Sequence, residues 1–391
     1  MVTKELLYGV FPDTLTDTEK NYVKSIFSDV KFIHNFKENI KETLYDLCEK
    51  EKFSKIIAPR EALVLLAAEL RDKYGIKGQT LFSAKCFRDK VLMKTALEKS
   101  NIRVPKFRLI KNREDIDDYL TKNKNTYPVV IKPTSMSGSR NVTIINSYEG
   151  ILEWLTKYDF DSNEWEIEEY IAGDFYHVDG LIQDGNVISI WPSKYTRPCA
   201  EISYDNVECS YIMSQDSSLI QPLCSFAEKV LQELQIYSEH KLNSAFHMEL
   251  FYTKNKEIVF CEVGSRIGGC QIHETWIRAF NIDLYEHHVN MSLDYKINLQ
   301  QPIKPKSLVG TSRVPSKSGT IIKIPSVLYN NATGLDGYIC YESIGSIVEP
   351  TTKEGALIYL AFTFVSGNDE NELLENLENF RKWFHNNTRI L

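Results

Sequence analysis

A strand-forming run followed directly by a loop of small residues occupies residues 128–140. Val129, Val130 and Ile131 form the β-branched run, and after Lys132 and Pro133 the residues 134–139 read Thr-Ser-Met-Ser-Gly-Ser. A second apolar run at 142–145 predicts strand, flexible loop, strand. The tip of such a hairpin can fold over a polyphosphate, offering backbone N–H and hydroxyl donors, while Lys132 supplies a positive charge.

The order of residues in this hairpin excludes the common alternative phosphate loop. A Walker-type loop has glycine first, then Lys-Ser/Thr and a helix, and that arrangement is absent here. The other interpretation is an ordinary surface hairpin with a lysine at its edge. This stretch alone does not decide between the two.

The size and charge of the chain limit the class of protein. With 391 residues, we expect two or three domains. A net charge of −7 gives no basic surface for nucleic acid and argues against an anionic membrane surface. The eight cysteines are scattered without a Cys-x-x-Cys pair, which indicates reduced thiols and no zinc site. With no signal peptide and no membrane-length apolar run, we expect a cytoplasmic protein.

Strands and helices alternate along the first 90 residues, which favours a small parallel α/β layer. Strands are predicted at 6–10 and 55–59, and helices at 38–50, 61–74 and 89–99. Further along, helices are predicted at 149–158 and 217–237, and strands at 165–171, 175–182, 186–191 and 356–365. Asp184-Gly185 is a strong hairpin turn signal between two of these strands. A capped helix is expected after Asn368.

Two glutamates stand on a second predicted hairpin, formed by residues 244–252 and 257–263. If residues 253–256 are a four-residue loop, Glu249 faces Phe260, and Glu262 lies diagonal to Glu249 on the same sheet face. Two carboxylates so placed repel each other unless a cation lies between them, and Mg²⁺ suits a site that also holds phosphate oxygens. The alternative is a solvated face with two unrelated glutamates. His247 on this face is interpreted as a structural hydrogen bonder.

The residues after Glu262 read Val-Gly-Ser-Arg-Ile-Gly-Gly. Glycines just beyond a strand mark a backbone that turns tightly or approaches a ligand closely. Arg266 beside two candidate metal ligands suits the binding of a carboxylate or a transferring phosphoryl group. The alternative is a surface arginine paired with Glu262.

Taken in order, these segments resemble the ATP-grasp superfamily of carboxylate–amine ligases, and most of all the bacterial L-amino acid ligases, which make dipeptides. The resemblance extends from about Pro59 to Leu293. Its motifs are Arg88-Asp89-Lys90, the Val-Ile-Lys-Pro strand with its Ser/Gly loop, Ile167-Glu168-Glu169-Tyr170-Ile171, Met248-Glu249-Leu250, Ser193-Lys194-Tyr195 and the segment from Glu262 to Gly269.

The resemblance implies an ATP-grasp fold, which is α/β overall and α+β in its catalytic part. An N-terminal Rossmann-like α/β domain would occupy residues 1–95 and a small lid domain residues 96–175. A larger C-terminal domain, with the Mg²⁺/ATP and substrate site, would occupy residues 176–391. ATP would lie between two sheets.

The resemblance also assigns site residues. Those implied for ATP are Lys90, Lys132, Ser135, Ser137, Gly138, Ser139, Glu168, Glu169, Ile171 and His177. Glu249 and Glu262 would bind the metal, and Arg266, Gly268 and Gly269 would bind the substrate, with Arg266 and Lys132 as catalytic residues. Two departures from the family pattern affect these expectations. Gly264 stands where the family often has a metal-binding Asn, and the usual ribose acid would fall near Phe175, so His177 or Asp174 would serve instead.

The implied activity is ATP-dependent joining of an amino-acid carboxylate to an amine through an acyl phosphate, with release of ADP and phosphate. The implied cofactors are ATP and Mg²⁺, with two metal ions expected and Mn²⁺ as a substitute. The expected partners are amino acids, with a homodimer as a further option and no nucleic acid or membrane. Alternatives are a ligase whose acceptor is a carrier-protein thiol or a natural-product amine, and a non-catalytic nucleotide-binding module. His287-His288 is predicted to be a surface pair, because a third metal ligand is missing.

Overall fold

The computed structural model describes residues 7–161, 163–197, 209–236, 240–301, 303–325, 335–340, 342–349 and 359–391. Among the helices within these ranges, none combines the length and hydropathy needed to span a bilayer.

The N-terminal part is a small α/β layer. Strand β1 (Tyr8–Pro12) pairs in parallel with β2 (Asp29–Ile33), and helix α1 (Asp17–Ile26) connects them. Helix α2 (Phe36–Lys50) follows, and then α3 (Val64–Tyr74) after a 3-10 turn (Glu61–Leu63). Next come α4 (Leu81–Cys86) and α5 (Lys90–Lys99). The strand predicted at 55–59 is wrong, since this segment is irregular.

A four-stranded antiparallel sheet follows, in the order β3-β6-β4-β5. Its strands are β3 (Phe107–Ile110), β4 (Val129–Pro133), β5 (Thr143–Ile145) and β6 (Trp165–Glu169), and its helices are α6 (Arg113–Lys122) and α7 (Tyr148–Lys157). Strands β4 and β5 pair as the predicted hairpin, with Val129 opposite Ile145. Ile131, Trp154 and Trp165 form part of a core that fixes one face of this sheet.

A larger sheet has eight strands, in the order β11-β10-β7-β8-β9-β12-β16-β14. The first five of these strands by sequence are β7 (Gly173–Gln183), β8 (Asn186–Tyr195), β9 (Cys209–Ile212), β10 (Ser244–Thr253) and β11 (Ile258–Gly264). The others are β12 (Leu308–Pro315), β14 (Leu335–Cys340) and β16 (Tyr359–Gly367). Asp184 and Gly185 both have positive φ, so the predicted hairpin turn is confirmed.

Helices cover both faces of the large sheet. Helix α8 (Ile220–Gln235) packs with Met248, Leu250 and Phe260 on one face. Helices α9 (Ile272–Phe280) and α10 (Leu284–Ser292) lie on the other, where Trp276 packs near Ala245 and Leu181. The capped C-terminal helix α11 (Glu370–Asn387) lies against β12 and β16. A three-stranded sheet of β13 (Gly319–Lys323), β15 (Ile347–Val348) and β17 (Arg389–Ile390) completes the described fold.

Candidate functional site

A cavity of about 580 Å³ is lined by residues from both sheets and from the N-terminal part of the chain. The small sheet contributes Lys132 and Glu168, and the large sheet contributes Glu249 and Glu262. Apolar side chains from both sheets line the cavity as well: Val130, Ile144, Ile171, Phe175 and Phe251.

The loop between β4 and β5 lies along the cavity. Ser137, Gly138 and Ser139 line it, and Gly138 and Ser139 have φ angles of +70° and +55°, so the loop turns through left-handed backbone there. Ser135 does not line the cavity. Its carbonyl oxygen instead accepts a hydrogen bond from Arg88.

Lys90 reaches the cavity from the first turn of α5. The Asp89 carboxylate caps this helix by accepting from the N–H groups of Val91 (2.9 Å) and Leu92 (3.0 Å). The buried Lys90 ammonium lies 2.8 Å from Glu262 Oε2 and donates to the carbonyl oxygen of Met136 at 2.8 Å. One lysine therefore joins the loop of the small sheet to a glutamate of the large sheet.

Lys132 lies in a buried cluster of charges on the small sheet. Its ammonium is 2.5 Å from Glu168 Oε1, and Glu168 Oε2 is 2.5 Å from the ammonium of Lys94. Burial lowers the pKa of Lys132, but the attraction of Glu168 raises it well above the usual range overall. Lys132 is therefore a fixed positive charge at neutral pH.

Glu249 and Glu262 stand directly opposite each other on β10 and β11, not diagonally as predicted. The expected register was wrong because Tyr252 pairs with Ile258 rather than Glu257, and because a β-bulge then interrupts β11. Leu250 pairs with Phe260, and Glu249 pairs with Glu262, so Cys261 is the extra residue. Cys261 and Glu262 consequently both line the cavity, while Phe260 belongs to the opposite core.

The two opposed carboxylates fit a divalent cation. They occupy one face of the sheet, within the cavity, where like charges repel unless a positive charge lies between them. Burial raises the pKa of Glu262, but Lys90 and Lys132 lower it overall, to about 2, so this carboxylate is ionised at neutral pH. Gly264 supplies no third side-chain ligand.

Arg266 is held by a carboxylate that was not among the predicted site residues. Glu61 accepts from Arg266 Nε through one oxygen and from Arg88 Nη1 (2.5 Å) through the other. Burial raises the pKa of Glu61, but the two arginines lower it overall. Arg266 is therefore held by Glu61, and not by a surface pairing with Glu262 as in the alternative interpretation. Glu61 precedes the periodic part of α3, and nothing local in the sequence marks it.

His177 does not line the cavity, although it was predicted to contact ATP. Its Nδ1 lies 2.5 Å from Asp179 Oδ2, and its Nε2 lies 2.6 Å from Ser210 Oγ. Asp174 is also off the lining, with its carboxylate 3.2 Å from the Lys194 ammonium. Neither position supports the expected ribose contact.

Asp179 joins His177 to His247 in a buried network. Asp179 Oδ1 is 2.8 Å from His247 Nδ1, and His247 Nε2 is 3.6 Å from Glu249 Oε1. Burial lowers the pKa of His247, but Asp179 raises it overall, to about 9. The two imidazoles and the carboxylate could hold a metal by proximity, but hydrogen bonds already join them. The interpretation of His247 as a structural hydrogen bonder agrees with this geometry.

Comparisons with known proteins find likenesses to ATP-grasp proteins. The ATP-grasp domain family matches residues 125–274, which include three of the four strands of the small sheet and the strands carrying Glu249 and Glu262. The L-arginine-specific L-amino acid ligase of Bacillus subtilis is 27% identical over 343 residues, which is 85% of this chain and 80% of the relative. The chain therefore contains an ATP-grasp domain and resembles the L-amino acid ligases.

Solved structures share this ATP-grasp fold over nearly the whole chain. An L-amino acid ligase from Bacillus licheniformis superposes with a TM-score of 0.76 at 16% identity, covering 100% of this chain and 99% of that one. The biotin carboxylase domain of a Hydrogenobacter thermophilus 2-oxoglutarate carboxylase, solved with MgADP, has a TM-score of 0.72 at 15% identity and covers 98% of this chain and 85% of that one. ATP-grasp enzymes use ATP and Mg²⁺, in keeping with the residue types in the cavity.

Of the predicted site residues, most line this one cavity: Lys90, Lys132, Ser137, Gly138, Ser139, Glu168, Glu169, Ile171, Glu249, Glu262, Arg266, Gly268 and Gly269. Ser135 and His177 do not. The residues that the sequence reasoning missed are Glu61, Lys94, Glu166 and Asp179. Lys94 is one helical turn after Lys90, and Glu166 is two residues before Glu168 on a strand, so periodicity could have suggested both.

Proposed function

We propose that this ATP-grasp ligase joins the carboxylate of an amino acid to an amine through an acyl phosphate, releasing ADP and phosphate. The observation that supports this most directly is the convergence of two lysines and two glutamates on one cavity, with Lys90 only 2.8 Å from Glu262. These residues come from positions 90, 132, 249 and 262 of the chain, on four separate elements.

The lining suggests how ATP is oriented. Val130, Ile144 and Ile171 offer an apolar surface for the adenine, next to the backbone of residues 168–171. The phosphates would then extend toward Lys90 and Lys132, beneath the loop 135–139. Glu249 and Glu262 would hold Mg²⁺, which, when bound, neutralises charge on the phosphate oxygens.

A carboxylate is a poor electrophile at neutral pH and must first be activated. An oxygen of the amino-acid carboxylate attacks the γ-phosphorus, the bond to the β-phosphate oxygen breaks, and ADP leaves. Lys132 and Lys90 stabilise the negative charge on the transferring group. The product is an acyl phosphate, which the loop 135–139 shields from water.

The amine then attacks the carbonyl carbon of the acyl phosphate. The amine loses a proton, the bond from carbon to the phosphate oxygen breaks, and inorganic phosphate leaves with the bonding electron pair. Arg266 binds the substrate carboxylate and then the oxyanion of the tetrahedral intermediate. Glu61 keeps the guanidinium oriented for this role, because it holds the Nε edge.

The substrates are best sought among free amino acids. Because the Bacillus subtilis relative is named as L-arginine-specific, L-arginine paired with each of the other amino acids is the first set to test. The full screen measures phosphate and ADP release for all pairs of amino acids, with mass spectrometry of the products. Release that requires a carrier protein would support the thiol-acceptor alternative, and ATP binding without ADP formation across the panel would support a non-catalytic module.

Lys132→Ala tests the assignment of the phosphate-binding lysine. We expect amino-acid-dependent ADP release to fall by about a hundredfold or more, since a charge aimed at the transferring phosphoryl group is lost. Lys99→Ala, at an exposed position of α5, is the control and should retain activity. Thermal unfolding checks that both variants are folded. Turnover that survives in folded Lys132→Ala would contradict the role given to Lys132.

A further inference from the structure

Four charged side chains form one buried cluster beside the cavity. Lys94 and Glu166 are 0% exposed, and Lys132 and Glu168 are 5% exposed. Only Lys132 and Glu168 line the cavity, so Lys94 and Glu166 stand behind them. The proposed reaction gives Lys94 and Glu166 no role, although burying two further charges is costly.

The cluster joins helix α5 to the small sheet. Lys132 on β4 is directly opposite Glu166 on β6, and Glu168 lies two residues further along the same face. Lys94 comes from α5, one turn after Lys90, so both lysines leave the helix on the same side. The backbone N–H of Lys90 donates to the carbonyl oxygen of Thr134 at 3.0 Å, which fixes the helix against the end of β4.

Glu168 is shared between the two lysines. Its Oε1 is 2.5 Å from Lys132, and its Oε2 is 2.5 Å from Lys94. Glu166 Oε2 is 2.7 Å from Lys94, whereas Glu166 Oε1 is 3.8 Å from Lys132. Lys94 therefore contacts both carboxylates, and Lys132 is bound closely by only one carboxylate oxygen.

Loss of Lys94 and loss of Glu166 would have opposite effects on how strongly the carboxylates attract Lys132. Without Lys94, both carboxylates have Lys132 as their only cation within the cluster, and its ammonium is drawn away from the cavity. Without the charge of Glu166, Lys94 can compensate Glu168 more fully, and Lys132 is released toward an anion. The cluster is electrically neutral only when Lys94 and Glu166 are both charged or both neutral.

We infer that Lys94 and Glu166 are positioning residues that set how strongly Glu168 holds Lys132, and so how available the Lys132 ammonium is to the phosphates of ATP. This inference rests on the proposed function, in which Lys132 binds phosphate.

The test compares Lys94→Met, Glu166→Gln and the double variant in the full-length protein, with Lys99→Met as an exposed control on the same helix. KM for ATP and kcat are measured with a productive amino-acid pair, and the affinity for a non-hydrolysable Mg–ATP analogue is measured by calorimetry. Lys94→Met should weaken nucleotide affinity about tenfold or more, as expected when one partner of a buried charge pair is removed. Glu166→Gln should strengthen affinity, and the double variant should return toward the wild-type value.

A merely structural cluster would behave differently. Both single variants would then lower the unfolding temperature without shifting nucleotide affinity in opposite directions, and that result would overturn the inference. If Lys94→Met does not fold, the double variant and Glu166→Gln decide the question, since the double variant must bind nucleotide more weakly than Glu166→Gln. Lys132→Met distinguishes failure of the proposed function from failure of the inference. Unchanged nucleotide affinity in this variant would contradict the proposed function itself. Weakened affinity there, with no effect at positions 94 and 166, would contradict only the inference.

Discussion

The imidazole of His288 accepts a hydrogen bond through Nδ1 from the backbone N–H of Ala245, at 3.1 Å. This side chain is 5% exposed. Burial and, to a smaller extent, the nearby positive charge of Arg71 together lower its pKa to about 4. The acceptor role requires an unprotonated Nδ1, so the folded protein keeps His288 neutral at pH values where the unfolded chain would protonate it.

His288 therefore makes the stability of the protein depend on pH. As pH falls below the unfolded pKa of about 6.5, the unfolded chain binds a proton that the folded protein does not bind until about pH 4. The contribution of this group to the free energy of unfolding is thus present above pH 6.5 and lost between 6.5 and 4. From pH 7.5 to 5.0 we expect this group to account for about 2 kcal/mol of lost stability.

His288→Asn provides the measurement. Asparagine can still accept from the Ala245 N–H, but it does not titrate. Urea unfolding of wild type and variant at pH 7.5 and 5.0 should show a smaller loss of unfolding free energy in the variant. An equal loss in both proteins would contradict the assignment of this pH dependence to His288.

His288 also shows how far single residues can be predicted. The sequence reasoning expected a surface pair, and for His288 this was wrong. Leu284, His288 and Met291 are all buried and share the i, i+4, i+7 face of α10, so the helical period did contain the information. The misassignment of His177 is different, because its partner Ser210 lies on β9, and no local pattern indicates that contact.

Two adjacent glycines at the end of the segment after β11 differ in their surroundings. A Cβ on Gly268 would lie 2.5 Å from Ile272 Cδ1 and 2.9 Å from His247 Nδ1, whereas a Cβ on Gly269 would have nothing within 4 Å. Gly268 is thus needed for close packing of this segment against β10 and α9. Gly269 is exposed and borders open cavity space.

These surroundings predict different effects for two matched substitutions. Gly268→Ala should lower the free energy of unfolding by about 1–3 kcal/mol through overpacking. Gly269→Ala should leave stability nearly unchanged but raise the amino-acid KM by about tenfold, because the new methyl group enters space proposed for substrate. Chemical unfolding and steady-state kinetics check both. Unchanged KM values in Gly269→Ala would remove Gly269 from the substrate site.

At the level of elements, periodicity and turn signals predicted most of what surrounds the site. The helices at 36–50 and 90–99 and the hairpins at 129–145 and 244–264 appear within a few residues of their predicted bounds. The bulge at Cys261 was not predictable, since an extra residue in one strand leaves no mark on alternation. The pairing of β4 with β6 was also missed, and with it the position of Glu166 opposite Lys132. Strand order in a sheet depends on contacts distant in sequence.

On the scale of the whole molecule, three parts of the chain meet at the cavity. Glu61 from the N-terminal part binds both Arg88 and Arg266, and Arg88 in turn donates to Ser135 at the base of the loop. Lys55 and Asp294 form a further link at 2.6 Å. The ordered set of motifs predicted the fold, whereas these bridges became visible only in three dimensions. Through Glu61 and Arg88 these contacts connect Arg266, the proposed substrate-binding residue, to the base of the loop 135–139.

The central claim is that ATP activates the carboxylate of an amino acid as an acyl phosphate in this cavity. The most direct measurement uses an amino acid labelled with ¹⁸O in its carboxylate, incubated with the protein, MgATP and the acceptor found in the pair screen. Because a carboxylate oxygen attacks the γ-phosphorus and leaves with it when the amine attacks, one ¹⁸O atom should appear in the released inorganic phosphate, as detected by mass spectrometry or ³¹P NMR. Phosphate released together with the amide product but free of ¹⁸O would contradict the account.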